Sequence, residues 1–236
     1  MAPFIFTAFG LCTLVPYLFF RCKKKLMPGI ILKITTSVFF ILTTASAAMG
    51  RGESEFIGAN KYLIFSILLG QVIGLLGDYW LDMKDMYPQH HDVYVFAGFI
   101  SFFIGHCFFI AGLFATYGLG WRDLLIMLGA GAALTTFVML TEKPMKLKYG
   151  KFKFITAAYG VLFGMVIAAA FLAYLKTKQT QALVMNIGLV VFLLSDLFLS
   201  GTFFGEGKDK PFDYIANYVC YFGAQFTIAL SLTTLA

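Results

Sequence analysis

The sequence predicts an all-α fold, a polytopic transmembrane bundle of eight helices. Composition is the first reason: 60% of the 236 residues are hydrophobic and 13% are charged, whereas soluble domains carry about 25% charged residues. Patterning is the second, because the apolar residues fall into eight runs without the alternation of a strand. Each run can supply most or all of the roughly 20 residues that cross a bilayer. The short connections left over predict a single integral membrane domain over residues 1–236 and exclude a water-soluble fold.

The predicted spans are expected to be helices because a helix satisfies its own backbone hydrogen bonds in lipid. Small and hydroxyl residues recur inside them, as close helix contacts in lipid require. In chain order the spans are Phe4–Phe20, Ile30–Met49, Tyr62–Leu81, Val93–Tyr117, Trp121–Leu140, Phe152–Leu175, Ala182–Ser200 and Tyr214–Leu235.

Polar residues mark the ends of several spans. The basic cluster Arg21–Lys25 follows the first span, and Asp78 and Asp82 close the third. The polar segment Lys84–Asp92, which holds two histidines expected to be solvated, separates the third span from the fourth.

Basic residues predict the orientation. Thirteen of the 18 Lys and Arg residues lie in or beside the connections after spans 1, 3, 5 and 7, against five after spans 2, 4 and 6. The positive-inside rule then places both termini outside the cytoplasm, in the cell membrane if the source is bacterial. Topology alone explains the net charge of +6, so no nucleic-acid partner is expected.

Ionisable residues inside the spans are the first functional candidates, because charge in the membrane is costly. Asp78 and Asp82 share one helical face through their i, i+4 spacing, while His106 and Asp196 lie inside the fourth and seventh spans. Further polar candidates inside the spans are Lys33, Tyr159, Tyr221 and Gln225.

A weak internal repeat relates the two halves of the chain. His106 follows Asp78 by 28 positions, and Gln225 follows Asp196 by 29. This spacing predicts two parallel four-helix halves, as in other repeat-built membrane folds. Asp78 and Asp196 would then converge on one cavity toward the cytoplasmic side.

Four motifs resemble those of the YhhN-like lysoplasmalogenase family, which is also polytopic with about eight spans. In order they are Gly77-Asp78-x-x-Leu81, Phe96-x-Gly98-x-x-x-Phe102-x-x-Gly105-His106, Ser195-Asp196-x-x-Leu199 and Tyr221-x-x-Ala224-Gln225. Tyr159 and Lys33-x-Thr35-Thr36 fit the same pattern, so the resemblance runs from the second span to the eighth.

The resemblance implies hydrolysis of the vinyl ether bond of a lysoplasmalogen, without a cofactor, to a fatty aldehyde and glycerophospho-ethanolamine or -choline. The partners would be this lysophospholipid and the surrounding membrane lipids; the oligomeric state is left open. Protonation of the vinyl β-carbon creates an oxocarbenium-like ion to which water adds. Such chemistry needs one neutral carboxylic acid and one carboxylate, as in glycosidases.

These requirements suggest roles for the candidates. Asp78 and Asp196 would form the acid and carboxylate pair, in either order, and His106 would polarise water or hydrogen-bond an aspartate. Tyr221 and Gln225 would position the substrate and Lys33 would face the lipid phosphate, with Asp82 and Tyr159 as further binding residues.

Three other functions stay open at this point. Asp78, Asp82, His106 and Asp196 could instead bind Zn²⁺ in a metal-dependent intramembrane hydrolase. Intramembrane Asp and His residues in paired halves also suit a proton-coupled small-molecule transporter. A purely structural protein would leave the buried carboxylates unexplained.

Overall fold

The computed structural model describes residues 1–49, 54–205 and 210–235, and it consists of eight long helices. They are α1 (Ala2–Cys22), α2 (Leu26–Met49), α3 (Ser54–Met86), α4 (His91–Tyr117), α5 (Trp121–Leu140), α6 (Lys153–Thr177), α7 (Thr180–Phe204) and α8 (Pro211–Ser231). All eight are long and apolar enough to cross a membrane. The chain is an integral multi-pass membrane protein, as predicted.

Local sequence explains where several helices begin and end. Pro3 and Pro211 occupy the first turns of α1 and α8, where the missing N–H costs nothing. Gly118 ends α4 with φ +59°, a conformation that favours glycine. Asp123 accepts a hydrogen bond from the Gly120 N–H across 2.6 Å at the start of α5.

Six helices form a closed ring in the order α2, α3, α4, α6, α7 and α8, with α8 packing back on α2. The helix α1 lies outside this ring against α2 and α8, and α5 lies outside it against α6. The contacts among α1, α2, α3 and α4 are thus repeated among α5, α6, α7 and α8. This arrangement agrees with the two predicted parallel four-helix halves.

Glycines allow the most extensive of these contacts, between α3 and α4. A Cβ added at Gly105 would lie 2.9 Å from the Gly70 carbonyl oxygen, so the two backbones approach too closely for a side chain. Such small-residue contacts are typical of helix packing in lipid. They hold the aspartates of α3 in a fixed position beside α4.

Several boundaries differ from the sequence prediction, and α3, for example, begins at Ser54 rather than Tyr62. Helix α3 continues five residues beyond Leu81 to Met86, so Asp82 and Lys84 lie within the helix and are buried. The exposed residues His90 and His91 end a short 3-10 turn and begin α4. Arg51 and Lys208, which entered the charge count, lie outside the described residues.

Candidate active site

The site lies at the end of the bundle where α1, α3, α5 and α7 terminate, which is the end predicted to be cytoplasmic. Lys33 lies in the third turn of α2, Tyr159 lies in the second turn of α6, and Tyr221 lies at the middle of α8. Asp78 and Asp196 lie near the ends of α3 and α7. The antiparallel order of neighbouring helices therefore brings all five side chains to one level of the bundle.

Lys33, Asp78 and Asp82 form a buried ionic group, which we call the Lys33 cluster. The Lys33 Nζ lies 3.3 Å from a carboxylate oxygen of each aspartate and 3.2 Å from the Asp78 carbonyl oxygen. The three residues are only 2%, 3% and 4% exposed, respectively. Asp82 is therefore an ion-pair partner inside the protein rather than an interfacial residue, and Lys33 is held by two carboxylates.

The second carboxylate oxygen of Asp78 accepts two hydrogen bonds from hydroxyl groups. Ser37, one helical turn after Lys33, donates across 3.0 Å, and Tyr221 donates across 2.6 Å. One ammonium and two hydroxyls thus face this carboxylate, and donors of this kind stabilise the ionised form. These donors offset the cost of burying the ionised carboxylate of Asp78.

Asp196 has a different environment. Tyr159 donates a hydrogen bond to its carboxylate across 2.8 Å, and its described contacts include no ion pair. Asp196 is also more accessible than Asp78, because it lines two adjoining cavities. A carboxyl group with one hydroxyl donor and apolar neighbours is suited to the neutral form.

The first of these, the apolar cavity, lies among α3, α4, α5, α6 and α7. Its empty space, open mouth included, is about 740 Å³. Besides Asp196 its lining includes Leu134, Val138, Tyr159 and Phe163. An apolar chain bound in this cavity would have one end beside the carboxyl group of Asp196.

The second, the polar cavity, lies among α1, α2, α3, α4, α7 and α8. Its charged and hydrogen-bonding lining includes Arg21, Lys33, Asp78, Lys84, Asn217 and Tyr221. Asp196 lines both cavities, together with Leu81, Phe102, Leu199 and Phe203. Asp78 and Asp196 therefore face the same polar cavity, as the internal repeat predicted.

His106 stands apart from both cavities. Its Nδ1 donates to the Phe102 carbonyl oxygen across 2.7 Å, within α4. Its Nε2 is buried without a hydrogen-bond partner among the described residues. The ring packs against Phe109, Tyr159, Phe163 and Phe192. The structure therefore joins His106 to the site through the ring of Tyr159, not through an aspartate.

Gln225 belongs to a polar ladder one helical turn beyond Tyr221. The Gln71 Nε2 donates to the Gln225 carbonyl oxygen across 3.1 Å and to its Oε1 across 3.3 Å. Thr44 donates to the Gln71 Oε1 across 2.5 Å. These bonds tie α2, α3 and α8 together behind the site, and Gln225 does not line either cavity.

Several residues of the site were not predicted from the sequence. Arg21 and Lys84 line the polar cavity, although the sequence suggested only topological charges. Asn217 lies beside them and donates to the Ser195 carbonyl oxygen across 2.8 Å, which fixes α8 against α7 next to Asp196. The available signal was the polar pattern in the first half of α8, where Asn217, Tyr218 and Tyr221 lie on one side of the helix.

The residues considered as zinc ligands do not assemble in the described part of the chain. Asp78 and Asp82 both face Lys33, and His106 faces aromatic rings. No group of three His, Cys, Asp or Glu side chains placed to hold a metal occurs among the described residues.

The fold and the site define a class: a multi-pass helical membrane protein with two aspartates at a polar cavity, one of which also lines an adjoining apolar cavity. The YhhN family model matches residues 28–232. The chain therefore belongs to the YhhN family, the family of lysoplasmalogenases. No curated protein and no solved structure matches the chain.

Proposed function

We propose that the protein is a lysoplasmalogenase that hydrolyses the vinyl ether bond of a lysoplasmalogen. The products are a fatty aldehyde and glycerophospho-ethanolamine or -choline. The observation that carries the proposal is the position of Asp196, which lines both the apolar and the polar cavity. A single-chain lipid is likewise divided into an apolar chain and a polar headgroup. Its ether bond lies where the chain meets the glycerol.

The substrate follows from the two cavities. The alkenyl chain occupies the apolar cavity beside Leu134, Val138 and Phe163, and the glycerol extends into the polar cavity beside Asp78. The vinyl ether then lies at the junction, where Asp196 lines both cavities and Asp78 lines the polar one. A second acyl chain would have to enter the charged cavity, which favours lyso lipids over diacyl lipids.

The different environments of the two aspartates support different roles for them. Asp196, with one hydroxyl donor and no described ion pair, is the general acid that protonates the β-carbon. Asp78, held by Lys33, Ser37 and Tyr221, is the carboxylate that stabilises the oxocarbenium ion. The Lys33 cluster contains two carboxylates and one ammonium, so with both ionised it has an excess negative charge beside the developing cation.

The remaining steps regenerate the acid. Water oriented by Asp78 adds to the oxocarbenium carbon and releases a proton, which restores the neutral Asp196. In the resulting hemiacetal, the hydroxyl proton passes to the glycerol oxygen as the carbon–oxygen bond breaks. One water is consumed, and one aldehyde and one glycerophospho-alcohol leave.

The direct test incubates the purified protein with a lysoplasmalogen and with its saturated alkyl-ether analogue. We expect aldehyde from the first substrate and none from the second, because carbon protonation needs the double bond. In D₂O, immediate trapping should yield aldehyde with one deuterium at the carbon next to the carbonyl. Absence of aldehyde from the lysoplasmalogen would refute the proposal.

Variants test the assigned roles. Asp196→Asn and Asp78→Asn should each lower kcat by about 10² or more, the usual contribution of general acid–base groups. Asp92→Asn is the matched control, because Asp92 lies half exposed at the beginning of α4, away from both cavities. Near-normal turnover by either site variant would remove that residue from the mechanism.

A proton-coupled transporter is a second candidate, favoured by the repeated packing of the two four-helix halves, which suits alternating access. It predicts that sealed vesicles accumulate an unchanged substrate when a proton gradient is applied. The hydrolase predicts aldehyde in open micelles without any gradient. The two functions are thus separated by one pair of measurements.

A further inference from the structure

Asp85 bridges two cations at the outer end of the polar cavity. The Arg21 Nη2 lies 2.9 Å from one carboxylate oxygen of Asp85, and the Lys84 Nζ lies 2.7 Å from the other. We call these three residues the Asp85 group. It joins the end of α1 to the end of α3, at the end of the bundle that carries the active site.

The two cations of this group line the polar cavity together with Asp196. The Arg21 Nε is buried and has no hydrogen-bond partner among the described residues. The guanidinium lies 5.2 Å from the ring centroid of Tyr214, and the Lys84 Nζ lies 4.6 Å from that of Phe203. Aromatic rings therefore position both cations, while the Nε donor of Arg21 stays unused.

The charge of the Asp85 group is opposite to that of the Lys33 cluster. With every side chain counted in its charged form, Arg21 and Lys84 share one carboxylate, which leaves one excess positive charge. Counted in the same way, the Lys33 cluster has one excess negative charge. Both groups border the same cavity. An anion is therefore favoured at its outer end and a cation at its inner end.

We propose that Arg21 and Lys84 bind the phosphodiester of a single-chain phospholipid. This deepens the proposed function, on which it rests for the placement of the chain and of the ether bond. A phosphodiester carries one negative charge, which matches the excess charge of the Asp85 group. The Arg21 Nε and its neighbouring N–H groups offer the fork that binds phosphate oxygens in pairs, and Lys84 adds a point charge.

Binding of inert ligands tests this site without any turnover. The probes are a saturated alkyl-ether lysophosphocholine and the matching alkylglycerol, which has the same chain and no phosphate. We expect Arg21→Gln and Lys84→Gln each to weaken binding of the first probe about tenfold or more. Binding of the alkylglycerol should change less than twofold. Equal losses for both probes, or no loss for the phospholipid, would overturn the proposal.

Two further variants separate phosphate binding from structural damage. Lys23→Gln removes an exposed charge just after Arg21 that does not line either cavity, and it should leave both affinities unchanged. Asp85→Asn removes the carboxylate that competes for the two cations, and it should tighten binding of the phospholipid probe only. Weaker phospholipid binding in Asp85→Asn would contradict the proposed competition.

A chain-free phosphodiester, glycerophosphocholine, distinguishes a lipid headgroup from a soluble phosphoester. We expect it to bind at least a hundredfold more weakly than the alkyl-ether phospholipid, because it cannot use the apolar cavity. Equal affinity would assign the site to a soluble ligand instead. If the wild-type protein binds the phospholipid through Arg21 but releases no aldehyde from lysoplasmalogen, the phosphate site stands and the proposed hydrolase fails.

Discussion

The hydroxyl of Tyr221 donates a 2.6 Å hydrogen bond to the carboxylate of Asp78, joining α8 to α3 across 143 positions of sequence. The Tyr221 ring packs edge-on against Phe192 of α7, with centroids 5.3 Å apart. This contact fixes the hydroxyl and therefore the orientation of the carboxylate. The second half of the chain thus supplies the group that orients the aspartate of the first half.

Tyr221→Phe removes this hydrogen bond and keeps the ring. Hydrogen bonds to charged groups contribute about 1.5–3 kcal/mol, so we expect kcat for lysoplasmalogen to fall roughly 10- to 100-fold. Tyr62→Phe is the control, because Tyr62 is 57% exposed near the other end of α3. Steady-state aldehyde release measures both variants, and unchanged kcat in Tyr221→Phe would show that Asp78 does not need this donor.

The Lys33 cluster should dominate local stability. Lys33→Met leaves two buried carboxylates without their cation, and breaking a buried ion pair in this way costs about 3–5 kcal/mol. We expect a clear loss of thermal stability in detergent. Adding Asp82→Asn should recover part of the loss, because one uncompensated charge disappears. If the double variant were no more stable than Lys33→Met, Asp82 would not be coupled to Lys33.

The apolar cavity should set the accepted chain length. Val138→Trp places a large side chain in the lining, so we expect kcat/KM for long alkenyl chains to fall by roughly 10- to 200-fold relative to short ones. Leu140→Trp is the control, because Leu140 is 71% exposed on the same helix and does not line the cavity. Equal losses of kcat/KM for short and long alkenyl chains would show that the chain does not bind in the apolar cavity.

The eight helices were predictable because lipid imposes length and apolarity on every span. The end of α3 was not predictable, since Asp82 and Lys84 look like interfacial residues until their partners are known. Their charges are tolerated inside the bundle because Lys33 of α2 and Asp85 of the same helix pair with them. Partners that come from another helix are invisible in one segment of sequence.

The site was predictable to the extent that rare intramembrane charges mark it. Asp78 and Asp196 were found in this way, and their meeting at one cavity was anticipated from the repeat. Arg21 was missed because a basic residue after a span is the expected mark of topology. Its place in the polar cavity depends on the packing of α1 beside α8, which no local pattern reveals.

His106 provides the sharpest contrast between sequence and structure. The sequence suggests an active-site histidine, but the ring lies among Phe163, Phe192 and two other aromatic side chains and does not hydrogen-bond either aspartate in the described structure. We expect His106→Phe to keep the ring contacts that position Tyr159 and to lower kcat less than tenfold. His106→Ala should lower kcat more, because it removes the surface on which the Tyr159 ring packs at 5.5 Å. Aldehyde release by the two variants, compared at equal folded protein, measures the difference. A loss of 10² or more in His106→Phe would instead make the imidazole itself part of the chemistry.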